Sequence, residues 1–599
     1  MTAPPIEAAT ERRPRFARLF DLVEDLRRRE DQLALTLSLF IGAIVGLVVV
    51  AFILLTGRLA AHMYPPNGAG WRRIVVPTLG SLVTGYLLFR FFPEARGSGI
   101  PQTRAAIFIH DGRITLRTVL GKFACCATSL ASGIALGREG PSVHIGSGIA
   151  SVIARRFGLS TRQVRWLLPV GASAALAAAF NTPIAAVIFS LEEIMGDLHA
   201  PILGSVVLSS TTSWMVLHLV LGDEPLFHVA GYHLVDPAEL LVYVVLGFIG
   251  GLGSVAFVRL LLELRKAFAR LPRRTAWVYP VAGGLCVGAL GYFVPAVLGV
   301  GYDQVERVLN GDMLLSAVVV LAVLKIVATA VCYASGNAGG IFGPSLFIGA
   351  MIGGAVGHVA HQLFPASTAS AGAYALVGMG TAFAGIIRTP LTSVLMIFEV
   401  TRNYTIIVPL MISNLIAFYI SQRLQREPIY EALARQDGLH LPTGAFRQLA
   451  RQLRVSAALR PAPAPLAAES TLEAAQERTM QSDFGSWPVA DENGLAGMLR
   501  RTEIAAAVAE GRGGASVREL LDGVDLEGTD DDAVPHVHPD HPLSLALARM
   551  GATRHTVLPV VSRANVRTLL GIVTLSDILN TYGVNSASDA RVRDGIPDE

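Results

Sequence analysis

GREGPSVHIG, residues 137–146, returns as GIFGPSLFIG, residues 340–349, so the most telling short motif of this chain occurs once in each half. Each copy sets Gly-x-x-Gly-Pro-Ser ahead of an apolar run. That pattern is a loop delivering the first turn of a buried helix, with proline where a helix tolerates it best. The opening turn of a helix presents amides that have no intrahelical acceptor. Together with the positive end of the helix dipole, these hold an anion without any lysine or arginine. The copies differ at one decisive place, where the first carries Glu139 and the second Phe342.

The repeat continues beyond the motif. VGASAALAAAFNTPIAAVIFSLEE (170–193) aligns without gaps to VGMGTAFAGIIRTPLTSVLMIFEV (377–400), which sets Thr182-Pro183 on Thr389-Pro390 and Glu192 on Glu399. The chain reads as two homologous halves, parallel or inverted. Broken helices at matched positions are the signature of a repeat-built transporter whose site lies near the membrane midplane, where the halves meet.

With 599 residues, 52% of them hydrophobic and 16% charged, and a mean hydropathy of +0.50, the chain is expected to be an integral membrane protein. Leu33 to Leu55 has no charged residue and exceeds the roughly 20 residues a spanning helix needs. The apolar region is interrupted at Gly97, Gly99, Pro101, Gly137, Gly140, Pro169, Pro183, Gly339, Gly340, Pro344 and Pro390. Backbone freed by such breaks survives at membrane depth only against protein or a polar cavity, so an internal aqueous pathway is expected. The Arg-rich start (Arg12, Arg13, Arg15, Arg18, Arg27, Arg28, Arg29) reads as a cytoplasmic lead-in and not as a cleaved leader. A net charge of +3 without a basic patch gives no reason to expect nucleic acid. Cys125, Cys126, Cys286 and Cys332 lack metal-ligand spacing and read as small packing residues.

GSGIP (97–101), GREGP (137–141), GIFGP (340–344) and Pro428-Ile429-Tyr430 stand in the order typical of the CLC family of chloride channels and chloride/proton antiporters, which the chain resembles over essentially its whole length. The resemblance implies a fold and an assembly. An N-terminal cytoplasmic segment (1–32) leads into an all-α polytopic membrane domain (33–437) of two inverted repeats with broken helices, and two subunits form a homodimer in membrane lipid with one pathway each. It implies no enzyme activity and no cofactor beyond the transported chloride and protons.

Ser98 reads from its own context as a helix cap; by the resemblance its hydroxyl also faces a central anion, with serine favouring chloride over nitrate. Tyr430, otherwise an interfacial anchor, resembles the tyrosine that donates to the same anion from the other side. The amides of Ile341 and Phe342 complete that site, and those of Arg138 and Gly140 line the pathway. Neutral donors suit conduction, because a bound anion must also leave. Lys122 supplies either a long-range positive potential or a paired structural cation.

Glu139 carries the expected mechanism. Ionised, its carboxylate can occupy the amide cradle that otherwise holds chloride; protonated, it loses that attraction, which couples the two ions reciprocally. Glu193 resembles the inner glutamate that receives protons from the cytoplasm in the family's antiporters, whereas Glu192, matched by Glu399, reads as structural. Glu139 and Glu193 together favour exchange. A passive chloride channel gated by Glu139 and, more remotely, a non-transporting sensor remain as alternatives. The fluoride-exporting branch departs from the GSGIP and GREGP patterns.

A polar stretch (438–465) ending in Pro461-Ala-Pro-Ala-Pro465 reads as a stiff linker. Beyond it, 466–582 contains a second duplication resembling a small α/β pair of CBS domains, expected in the cytoplasm, followed by a tail (583–599). Thr574 and Asp577 match positions that contact an adenosine nucleotide in such domains. The first copy has Arg500 and Glu503 there, so one nucleotide site at most is expected, with a purely dimer-bracing role open. The Arg-dominated, Ala-rich usage is consistent with a bacterial inner membrane, with both termini cytoplasmic.

Overall fold

The computed structural model describes residues 30–582 except 66–67, 199–201, 224, 229–233, 440, 442–452, 482–483, 522–534 and 554. The N-terminal arginines and the tail 583–599 lie outside the described residues. The chain divides into two compact units, residues 1–441 and 442–599.

In the first unit the repeat governs the order of helices. One half runs α1 (Glu30–Met63), α2 (Arg72–Arg90), α3 (Ile100–Phe108), α4 (Leu116–Ala131), α5 (Glu139–Arg156), α6 (Thr161–Phe180), α7 (Pro183–Phe189) and α8 (Leu203–Leu221). The other runs α9 (Glu239–Ala269), α10 (Tyr279–Phe293), α11 (Tyr302–Leu309), α12 (Leu315–Ala334), α13 (Phe342–Leu363), α14 (Ala371–Ile387), α15 (Pro390–Thr401) and α16 (Ile407–Leu424), and α17 (Ile429–Gln436) follows. Among the described residues seven helices are long and apolar enough to cross a membrane. Others are broken short. With 9 residues in α3 and 8 in α11, at about 1.5 Å per residue, neither reaches across a core of about 30 Å.

Matched local chemistry makes the matched breaks. α6 ends on Asn181 (φ 59) and α14 on Arg388 (φ 69), both left-handed, and a Thr-Pro step then starts the next helix with proline in its first turn. The freed amides of each new helix are capped from the other half. Glu399 accepts from Ile184 N (2.9 Å) and Ala185 N (2.6 Å) at the start of α7. Glu192 accepts from Thr392 N (2.9 Å) and Thr392 Oγ1 (2.7 Å) at the start of α15. Gly137 and Gly340 likewise exchange two backbone hydrogen bonds of 2.7 Å in an antiparallel bridge. These reciprocal contacts are what two inverted repeats produce around a local two-fold axis. α6 and α14 lie innermost, and every residue of α14 is buried. All four cysteines are free thiols, three of them buried.

The second unit holds two similar α/β motifs. In the first, β1 (Leu466–Ala467) pairs parallel to β2 (Ser486–Asp491), which pairs antiparallel to β3 (Gly494–Arg500), with α18 (Leu472–Met480) and α19 (Arg501–Ala509) beside them. In the second, β4 (Val557–Val561) pairs antiparallel to β5 (Leu569–Thr574), flanked by α20 (Leu543–Thr553) and α21 (Leu575–Thr581), and Val537 adds a parallel bridge to Val560. Upstream residues also pack here: Val455 is fully buried and Arg460 bridges Ile572.

Candidate functional site

Several helix starts converge inside the first unit. Gly99, with φ +107, caps α3 and its amide donates to Gln102 Oε1 (2.8 Å), so the cap does not need the Ser98 hydroxyl. A Cβ on Gly140 would stand 2.6 Å from the Ser98 carbonyl oxygen, which is how closely the starts of α3 and α5 meet. Ser98 and Tyr430 are buried, and among the described residues neither hydroxyl has a hydrogen-bond partner. Buried hydroxyls are nearly always satisfied, and two orphans here leave donors for a guest. Tyr333 of α12 lies beside Ser98. A cavity of about 550 Å³, lined in part by Arg96, Gly97, Gln102, Tyr333 and Asn337, reaches the residue next to Ser98.

Glu139, fully buried at the start of α5, does not cap its own helix. It reaches into the other half, where Oε2 accepts from Gly343 N (3.1 Å) in the first turn of α13 and Oε1 accepts from the Tyr302 hydroxyl. Arg138 stands behind this pair, with Nε 4.0 Å from Glu139 Oε1 and its guanidinium 5.3 Å from the centre of the Tyr302 ring. A Cβ on Gly343 would lie 3.1 Å from Glu139 Oε2 and 3.2 Å from the Tyr302 hydroxyl, so glycine gives the carboxylate its room. Phe342, the repeat counterpart of Glu139, turns the other way. Phe180, Phe189 and Phe383 surround its ring at 4.9, 5.4 and 4.4 Å, which fixes the backbone turn whose amides open α13.

Glu192 and Glu193 lie where α7 widens into a π turn over Ser190–Met195. Adjacent residues on a helix diverge by about 100°, so Glu192 faces α15 while Glu193 faces α3. There Arg104 Nη1 donates to Glu193 Oε1 (2.7 Å), and Arg104 Nη2 lies 3.3 Å from Oε1 of Glu431, the residue after Tyr430. The guanidinium is almost wholly buried.

Lys122 spends its three donors on the carbonyls of Ala95 (2.8 Å), Arg96 (3.2 Å) and Gly97 (2.7 Å), the segment leading into Ser98. Lys325 repeats this on Val297 (3.1 Å) and Gly299 (2.7 Å), the segment leading into Tyr302. Tyr302, Lys325 and Arg104 were not singled out from the sequence. For the first two a signal existed, since GVGY (299–302) repeats GSGI (97–100), and Lys325 follows Lys122 by the interval that separates Gly340 from Gly137.

In the second unit, Thr574 caps α21. Its hydroxyl donates to Asp577 Oδ2 (2.6 Å) and accepts from Asp577 N (3.1 Å), while Arg460 Nη1 lies 3.8 Å from Asp577 Oδ1. Arg500 and Glu503 occupy the same corner of the first motif, joined by Arg500 N to Glu503 Oε2 at 2.8 Å.

The sequence profile of the voltage-gated chloride channel family matches residues 79–422, and that of the CBS domain matches 455–510 and 530–583. The chain therefore belongs to the CLC family and carries a tandem CBS pair. Among its relatives, the "H(+)/Cl(-) exchange transporter ClcA" of Vibrio campbellii is 31% identical over 418 residues, covering 67% of this chain and 88% of that protein. A solved structure titled as a slow cyanobacterial Cl−/H+ antiporter matches with a TM-score of 0.63 at 27% identity, over 67% of this chain and 97% of the other. A eukaryotic CLC transporter shares the fold across 93% of this chain and 98% of its own, with a TM-score of 0.60 at 20% identity.

Proposed function

We propose that this protein exchanges chloride for protons across a bacterial inner membrane, as a homodimer with its termini and CBS pair in the cytoplasm. The carrying observation is the Glu139 carboxylate on the Gly343 amide, an anion already seated at a helix start contributed by the opposite repeat. Chloride competes for that cradle. A proton on Glu139 removes its negative charge and frees the position; chloride in the position favours the neutral side chain. Below it, Ser98, Tyr430 and the amides of Ile341 and Phe342 form the central anion site, and the Arg138 and Gly140 amides line the route outward. Lys122 holds the Ser98 segment and contributes positive potential. Glu193 is the inner proton relay. The relatives named as H(+)/Cl(-) or Cl−/H+ exchangers support this reading.

A passive chloride channel is the second reading, and one observation favours it: the Glu193 carboxylate is engaged in an ion pair with the buried guanidinium of Arg104. Proteoliposomes separate the two. Under exchange, an imposed chloride gradient drives protons uphill, and Glu139→Gln retains chloride flux while abolishing proton movement. Chloride flux that leaves pH unchanged in the wild type would establish the channel. For the CBS pair we propose one adenosine nucleotide site at Thr574 and Asp577, tested by calorimetric titration of ATP and AMP into the full-length protein.

A further inference from the structure

Arg104 joins two carboxylates, those of Glu193 and Glu431, with side chains 9% and 16% exposed around a guanidinium that is 3% exposed. A lone glutamate bound to a buried arginine would be a poor proton acceptor, because protonating it strands the guanidinium without a counter-ion. Two carboxylates on one guanidinium remove that obstacle. Arg388 also interacts electrostatically with Glu431, but its own hydrogen bonds go to the carbonyls of Ser421, Gln425 and Arg426. Glu192 belongs to the α15 cap, so it is not available as the substitute.

We propose that Glu431 is a positioning residue for proton exchange: it takes over Arg104 when Glu193 is protonated, and so makes the inner proton site a three-residue unit. This inference rests on the exchange reading. A hydronium ion on the cytoplasmic side gives its proton to a Glu193 oxygen and leaves as water. The Glu193–Arg104 ion pair opens, and Arg104 remains paired with ionised Glu431. When Glu193 gives the proton onward, through water, to the Glu139 carboxylate, Glu193 is ionised again and Arg104 returns to it. Glu431 itself never carries the transported proton, and it follows Tyr430 directly, so the relay and the anion site share one short helix, α17.

The test is proton and chloride flux measured together in proteoliposomes for wild type, Glu431→Gln, and the double variant Arg104→Gln/Glu431→Gln. Glu431→Gln is expected to lower proton flux by roughly tenfold or more while chloride flux persists, because Arg104 then has Glu193 alone. Removing Arg104 as well abolishes the need for a counter-ion, and the double variant is expected to recover proton flux. Wild-type proton flux in Glu431→Gln, or no recovery in the double variant with chloride flux intact, overturns the proposal. If Glu431→Gln yields no chloride flux, Glu431→Asp and Arg104→Lys replace it. Both keep the charges and are expected to keep proton flux; its loss in either, with chloride flux intact, also overturns the proposal. Wild-type protein that moves chloride without protons overturns the exchange reading and this inference with it, an outcome distinct from a failure of Glu431→Gln alone.

Discussion

Among the described residues, the Tyr302 hydroxyl and the Gly343 amide each give Glu139 a hydrogen bond. A bond to a charged acceptor contributes about 1.5–3 kcal/mol, so Tyr302→Phe shifts the contest between carboxylate and chloride by about tenfold or more. Chloride should bind correspondingly tighter in calorimetric titration. An unchanged affinity would mean that Tyr302 does not help to hold the gate. Gly343→Ala acts on the same contest sterically. Its methyl group would press on Oε2 from 3.1 Å and on the Tyr302 hydroxyl from 3.2 Å, so the variant should displace Glu139 and raise proton-independent chloride flux. Glu139 was legible in the sequence because an acidic residue inside an apolar repeat contrasts with its counterpart, Phe342. Tyr302 was harder to see: GVGY repeats GSGI, but the match does not show which side chain the tyrosine meets until the fold brings it across from the other half. Arg104 was hidden for a related reason: its partners, Glu193 and Glu431, are distant in the chain.

Exchanged caps tie the repeats together at α7 and α15, each helix starting on a carboxylate from the other half. Glu399→Gln retains the shape but offers its amide donors to backbone donors. The expected loss is about 1–2 kcal/mol of stability, visible as a lower thermal midpoint in detergent at fixed scan rate. Lys325→Met should cost more, since the carbonyls of Val297 and Gly299 lose a buried donor at about 1–3 kcal/mol for each unsatisfied group. A midpoint unchanged in Lys325→Met would remove the case for these lysines as matched props. The Thr-Pro steps and the Glu192/Glu399 match could be read from aligned sequence. Their reciprocity could not, since spacing records which residues correspond but not which half each one touches.

At the scale of the whole molecule, titratable side chains make the stability of the CBS pair depend on pH. Burial, followed by the neighbouring His538, pushes the His541 imidazole below its ordinary range; burial and then Arg500 do the same to His555. A histidine depressed in the folded state is protonated more readily when unfolded. Its stabilisation is therefore complete above about pH 6.5 and is lost as pH falls toward the folded value. Arg563 holds the Asp540 carboxyl at about 2, so that contribution stays constant until pH drops through the ordinary carboxylate range near 3.9. Hydrogen-exchange protection of β4 in full-length protein, corrected for intrinsic rate, should fall as pH drops through about 6.5, and His541→Gln should flatten the fall. The membrane class, the twofold repeat and the CBS pair were all legible from composition and duplication, because each repeats a pattern many residues long. The ion pairs around the site were not, because they depend on single contacts across the axis. The central claim is that Glu139 and chloride occupy the same amide cradle, and bromide anomalous diffraction from crystals of Glu139→Ala tests it most directly. A halide peak within hydrogen-bond distance of Gly343 N, where Oε2 sits in the wild type, is predicted; an empty cradle with halide bound elsewhere would contradict the account.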